Sequence, residues 1–231
     1  MGGGADADRM KCLPEPVTVA CVFVQGEYPY TAEYVWRLRD MVERWIDRPF
    51  RFVCLTDQPW LFADPIETVP IVRLPGFAPW TKLELFNPER RWTGRVLYLD
   101  LDVLIVAPLA PILDSDATFA ITADPVGRLG RDSFGRQIVR RFNSSVMVWD
   151  GGTHTELYTK WKPEIVARLS GDQDHIAETL PEAKTFPREW FPRISELLEE
   201  PPRDPAKIVL VKTPKNHIAA SKWRWFSEAW A

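Results

Sequence analysis

Cysteine and histidine are scarce in this 231-residue chain, three of each, and the cysteines (Cys12, Cys21, Cys54) show neither CxxC nor zinc-finger spacing. An odd count without such spacing argues against a disulfide framework and fits a reducing compartment. Cys21 and Cys54 fall inside apolar runs and read as small core hydrophobes. No stretch approaches the ~20 consecutive apolar residues of a membrane span. The first apolar run, Val17 to Val24, is short and has no small-residue cleavage site after it, so no secretory signal is expected. Gly2 is followed by Asp6 where N-myristoylation calls for Ser or Thr. Strong charge of one sign is absent as well. The net charge of -3 excludes a general polyanion binder. The expected location is cytoplasmic, and residues 1–11 read as a loose tail ahead of a single domain over 12–231.

What is present is strand and helix in alternation. Val17 to Val24 is β-branched and apolar nearly throughout, as a strand covered on both faces would be. The segment after Thr31, a candidate N-cap, puts Tyr34, Leu38, Met41, Val42, Trp45 and Ile46 on one helical face. Phe50 to Asp57 is a second strand, which completes a βαβ unit and implies a parallel sheet. Ile66 to Leu74 reads as a proline-interrupted edge strand, Thr81 to Phe86 as a short helix, and Val96 to Leu99, Val146 to Trp149 and Lys207 to Val211 as later strands. Helical patterns lie on either side of Pro163. The fold class is α/β with a mostly parallel central sheet flanked by helices. Ligands of such sheets collect at the carboxyl ends of the strands, where Asp57, Asp100 and Asp102 fall.

The run Arg95 to Leu109 carries two carboxylates, Asp100 and Asp102, one residue apart. If extended, it points both to one face with Cα atoms about 6.6 Å apart. Like charges that close in apolar surroundings need a cation or donors between them. Hard oxygen ligands at this spacing suit Mg²⁺ or Mn²⁺, which take one or two carboxylates plus substrate phosphates. Three further pieces each have an ordinary reading when taken alone. Lys82 is a helix lysine 18 residues before Asp100, near a helix start that favours anions. Asn143, Ser144 and Ser145 precede an apolar strand and read as a turn. Asp172 and Asp174 begin a helix and read as cap and first-turn residues.

In this order the four pieces resemble the GT-A glycosyltransferases of the glycogenin-like family, often called family 8, over roughly Val17 to Leu180. The resemblance implies a single GT-A, Rossmann-like domain with a nucleotide-binding half over about 17–107 and an acceptor-side half over about 108–231. It implies transfer of a sugar, with retention, from a nucleoside diphosphate sugar (a UDP-sugar is expected) in the presence of Mn²⁺ or Mg²⁺. Asp100 then resembles the aspartate that reaches ribose and metal, Asp102 the principal metal ligand, and Lys82 the phosphate-side lysine. Val24 to Tyr30, with Gln25 among them, would cradle the base, and Asp57 and Leu101 join the donor-binding set. Asn143 and Ser144 would lie beneath the donor sugar, and Asp172 and Gln173 would hold its hydroxyls and orient the acceptor.

Two departures stand out. Ser145 replaces the family's glycine, and Lys212 falls where the family has a metal-binding histidine. His217, five residues on, is the candidate third ligand, with a surface loop histidine as its ordinary reading. The expected catalytic set is Asp102, Asp172, Gln173 and Lys212. His154 and His175 read as solvated helix ends. The C-terminal stretch interleaves Lys215, Lys222 and Arg224 with Trp223, Trp225 and Trp230, which reads as a helix packing its tryptophans on the core. Nucleic-acid or glycan binding by the same residues stays open, and the acceptor is a glycan, a lipid-linked precursor, a protein, a small metabolite or modified DNA. Two other functions remain. One is a non-catalytic nucleotide-sugar or glycan-binding module on this fold. The other is a sugar-nucleotide nucleotidyltransferase, disfavoured because the loop after the first strand has one glycine.

Overall fold

The computed structural model describes residues 16–26, 30–75, 78–124, 129–131, 137–139, 141–197, 199–212 and 214–231. Cys12, the expected tail, and residues 27–29 of the expected base-binding loop lie outside them.

The N-terminal half is the βαβ unit its patterning predicts. Strand β1 (Val17–Phe23), helix α1 (Ala32–Trp45), strand β2 (Phe50–Thr56) and edge strand β3 (Ile66–Pro70) precede a 3₁₀ helix over Ala78–Phe86. β4 (Arg95–Leu99) and β5 (Val103–Ile105) follow, then α2 (Ala110–Leu113), β6 (Phe119–Ala123), a separate two-stranded sheet of β7 (Leu129–Arg131) and β8 (Gln137–Val139), and the long β9 (Phe142–Asp150). The chain continues through α3 (Glu156–Thr159), α4 (Pro163–Arg168), α5 (Asp172–Thr179), β10 (Lys184–Thr185), α6 (Ile194–Leu197), β11 (Ile208–Leu210), α7 (Pro214–Ala220) and α8 (Arg224–Trp230).

Seven strands form the central sheet in the order β10-β6-β9-β4-β1-β2-β3. The neighbours of β1 and β2 all pair in parallel, whereas β9 is antiparallel to both β4 and β6. The apolar character of β1 has a direct cause. Val17, Val19, Cys21 and Phe23 face α1, where Val35, Leu38, Met41 and Val42 are buried, while Ala20 faces the opposite layer with Val53, Leu55 and Tyr98. A strand covered on both faces has no polar side to show. Cys21 and Cys54 are adjacent in register and fully buried, core residues as expected.

Several expectations need correction. Val35 belongs to the buried face of α1, whereas Tyr34, Trp45 and Ile46 are only partly covered. Thr31 holds the N-cap position but makes no side-chain cap hydrogen bond. Asp100-Leu101-Asp102 is a turn, not part of one extended run, because the chain leaves the central sheet there and β5 pairs with β11 in a second sheet. Asn143 to Ser145 lie inside β9, whose pairing with β6 shifts register between Ile121 and Thr122. Lys82 sits in the middle of the 3₁₀ helix, so no helix start surrounds it. His175 is buried, its Nε2 3.0 Å from the Leu157 carbonyl oxygen, and joins α5 to α3. Strand β6 was missed, since its five residues carry no periodic signal longer than the strand itself.

The C-terminal helices pack as expected. Phe226 is buried, Trp230 lies 4.2 Å from the His217 ring, and Arg37 of α1 donates to the Trp230 carbonyl at 3.1 Å.

Candidate active site

Sheet topology explains why residues far apart in sequence meet. β9 runs antiparallel to β4, so its first residues lie beside the carboxyl end of β4. The Asp100 amide accordingly donates to the Ser145 carbonyl at 2.9 Å. β11 runs antiparallel to β5 with Leu210 opposite Val103, which brings Lys212 toward Asp102. Helix α5 packs on β9 and presents Asp172 in its first turn. These segments enclose a cavity of about 440 Å³. Val24, Tyr30, Lys82, Asp100, Leu101 and Asp102 line it from the N-terminal half. Asn143, Ser144, Asp172, Gln173 and Lys212 line it from the other half.

At its centre lies a network of charge-assisted contacts. Lys82 Nζ is 2.7 Å from Asp100 Oδ1 and 4.0 Å from Asp172 Oδ2, and it donates to Ser144 Oγ at 3.2 Å. The Tyr98 hydroxyl donates to the same Asp100 oxygen at 2.5 Å, and the lysine ammonium lies 5.4 Å from the Tyr98 ring centre. Burial disfavours the Lys82 ammonium, but the charges of Asp100 and Asp172 outweigh it and raise its pKa above the ordinary lysine value. Burial raises the Asp172 carboxyl, against the Lys82 charge and a hydrogen bond from Ser144. Its Oδ2 is sealed from solvent and has no hydrogen-bond partner.

Asp102 is in a different state. Only 6% exposed, it accepts a hydrogen bond from the Tyr30 hydroxyl at 2.7 Å. Burial, then the neighbouring Asp100 charge, push its pKa up to about 6, although Tyr30 and Lys82 favour the charged form. A carboxylate raised this far still lacks a counter-charge. That deficit, together with two hard oxygen donors in one turn, fits Mg²⁺ or Mn²⁺, ions that keep waters and take substrate phosphates as further ligands. Among the described residues, no group of three His, Cys, Asp or Glu side chains is gathered to hold a metal. His217 stands in an aromatic cluster with Tyr34, Phe226 and Trp230. Its ring hydrogen-bonds the Asp102 main chain, Nε2 is buried without a partner, and burial brings its pKa down to about 4.

Lys212 lines the cavity with a backbone φ of +77°, a left-handed conformation uncommon for a side-chain-bearing residue. Such outliers concentrate where a site needs a particular direction. Gln25 and Asp57 stand off the cavity wall. The Gln25 amide donates to Asp57 Oδ1 at 3.1 Å, and Arg73 holds both the Asp57 carboxylate, at 2.9 Å, and the Gln25 carbonyl. That clip fixes the start of the loop leading to Tyr30. Sequence reasoning missed Tyr98 and Arg193, both of which line the cavity. Tyr98 was legible in principle, two residues before Asp100 and so on the same side of an extended strand. Arg193 lies in an irregular stretch with no pattern to mark it.

No protein-family model and no curated protein matches the sequence. Solved structures do match the fold. The galactosyltransferase LgtC, in complex with donor and acceptor sugar analogues, aligns with a TM-score of 0.61 at 15% identity, covering 92% of this chain and 95% of that one. The glycosyltransferase GlyE of Streptococcus pneumoniae TIGR4 aligns at 0.61 and 13% identity, covering 92% of this chain and 60% of that chain. The bifunctional glycosyltransferase WbbM aligns at 0.59 and 14% identity, with 96% and 52% covered. At identities this low the likeness is one of architecture, and this chain has the GT-A fold of the glycosyltransferases.

Proposed function

We propose that the protein is a glycosyltransferase that moves a sugar from a nucleoside diphosphate sugar, with UDP as the expected nucleotide, to an acceptor hydroxyl with retention of configuration. The observation that carries this reading is the convergence of Asp100, Asp102, Ser144, Asp172 and Lys212 on one cavity from four separate segments of the chain. A volume of about 440 Å³ lies within the usual range for small-molecule sites. The donor and acceptor sugar analogues bound by LgtC support the same class of substrates here.

In such a transfer the bond from the anomeric carbon to the diphosphate oxygen breaks while a bond to the acceptor oxygen forms. Negative charge gathers on the leaving diphosphate, and groups that tighten on it in the transition state lower the barrier. A divalent ion held by Asp100 and Asp102 supplies Lewis acidity to that diphosphate when bound. Tyr30 holds one oxygen of Asp102, Lys82 and Tyr98 hold one oxygen of Asp100, and the two carboxylates are thereby fixed in direction. Asn143 and Ser144 form the floor for the sugar, and Asp172 Oδ2 is a ready acceptor for a sugar hydroxyl. Retention follows from attack on the face the diphosphate leaves, with the acceptor proton passing to the departing phosphate oxygen, so no protein nucleophile is needed.

The test is release of nucleoside diphosphate from a panel of nucleotide sugars with Mn²⁺, by wild type and Asp102→Asn. Turnover in the first and none in the second supports the reading. Binding of a donor without turnover, across a range of acceptors, would instead favour a non-catalytic module.

A further inference from the structure

Lys82 is matched inside the protein. Its ammonium is bracketed by Asp100, Asp172 and Ser144, so its charge already has counter-ions before any ligand enters. The cavity as a whole is lined by four carboxylates (Asp100, Asp102, Asp124, Asp172) against three cations (Lys82, Arg193, Lys212), one negative charge in excess. A diphosphate entering this space must be met by cations other than Lys82, besides any divalent ion at Asp102.

Arg193 and Lys212 share one wall. Arg193 is joined to Leu210 by an isolated parallel bridge, and the Leu210 amide donates to the Pro192 carbonyl at 2.9 Å. Bridged residues turn their side chains to the same side, and Lys212 lies two residues beyond Leu210, past the end of β11. All three line the cavity. One strand spacing across and at most two residues along keep the Arg193 and Lys212 Cα atoms within on the order of 9 Å, within reach of one diphosphate for two long side chains. Arg193 also carries an unmet demand. Its Nη2 is sealed from solvent without a hydrogen-bond partner, and no ion pair involves its guanidinium among the described residues. A native structure seldom leaves a charged donor so placed unless a ligand completes it.

We infer that Arg193 and Lys212 are the diphosphate-binding pair of the donor site, and that Lys82 is the internal counter-ion of Asp100 and Asp172. The inference rests on the donor reading above and changes which cations meet the phosphates. The planar guanidinium takes two oxygens of one phosphate, and the ammonium acts as a point charge on the other.

Calorimetric titration of the full chain with inorganic pyrophosphate, UDP and uridine, each with Mn²⁺, tests this. Arg193→Gln and Lys212→Gln are each expected to weaken pyrophosphate and UDP about 10-fold or more, while leaving uridine binding unchanged. Arg193→Lys should recover part of the loss, and the unfolding temperature of Arg193→Gln should match wild type because Nη2 has no protein partner to lose. UDP bound equally by wild type and Arg193→Gln removes Arg193 from the site and leaves the donor reading standing. Pyrophosphate bound by wild type while no nucleoside diphosphate binds keeps the cation pair and removes the donor reading. Failure of both ligands on wild type overturns both.

Discussion

Lys82 and Asp100 form a contact of 2.7 Å at the centre of the cavity, and Tyr98 donates to the same Asp100 oxygen. The lysine side chain is 15% exposed and the aspartate 20%, so water screens the pair little. Removing one partner leaves the other buried and uncompensated. Lys82→Met should therefore cost about 3 kcal/mol of unfolding free energy, read from the urea midpoint. Adding Asp100→Asn to that background should return part of the loss, since the two residues are coupled. Equal midpoints for wild type and Lys82→Met would remove the counter-ion role.

Asp102 has the opposite balance. Its carboxyl is held up near 6 by burial and by Asp100, so the ionised form strains the fold in the absence of a cation. Asp102→Asn should keep or slightly raise metal-free stability at neutral pH, while transfer falls by at least about 100-fold through loss of transition-state charge stabilisation. A fully active Asp102→Asn enzyme, with the same donor and Mn²⁺, is the outcome the assignment cannot survive.

His175 sets a pH response away from the carboxylate turn. Burial holds its pKa below the ordinary value, against the pull of the Leu157 carbonyl. The folded chain therefore resists a proton that the unfolded chain accepts below about pH 6.5. The stability this group contributes is present above that pH and is lost as pH falls toward the depressed folded value. Thermal unfolding measured from neutral to mildly acid pH should show the decline, and His175→Gln should flatten it. An identical slope in that variant would assign the decline to other groups.

Much of the site was legible because it is local. Asp100-x-Asp102, Asn143-Ser144 and Asp172-Gln173 are short patterns, and all of them line one cavity. What their spacing could not convey was how they meet. The Asp100 to Asp102 segment reads as extended because it is flanked by strong β-formers. Only the antiparallel pairing of β5 with β11, a contact between segments about 100 residues apart, turns the chain there. His175 looked solvated because its neighbours Asp172, Asp174 and Glu178 are charged, yet Asp172 and Asp174 are themselves buried. Arg193 had no signal at all, since its place depends on a single backbone bridge.

Lys212 offers a substitution with opposite effects on stability and function. Its φ of +77° is comfortable for glycine and strained for lysine. Lys212→Gly should raise stability by roughly 1 kcal/mol while weakening donor binding. Because an ammonium cannot ligate a metal while protonated, wild-type turnover should depend on Mn²⁺ concentration less steeply than that of Lys212→His. Equal Mn²⁺ dependence in the two proteins, with His217→Ala alone abolishing it, would transfer the role to His217.

The central claim is that this cavity binds a nucleoside diphosphate sugar with a divalent ion at the Asp100–Asp102 turn. A ligand that binds only the folded state raises its unfolding temperature, by an amount that grows with the logarithm of its concentration over its Kd. The most direct measurement is therefore a thermal-shift series with nucleoside diphosphate sugars, each with and without Mn²⁺, on wild type and Asp102→Asn. The account predicts stabilisation of wild type by at least one donor, UDP-sugars foremost, larger with Mn²⁺ than without it. In Asp102→Asn the Mn²⁺ increment should vanish. No shift with any donor, or an Mn²⁺ increment that persists in Asp102→Asn, would contradict it.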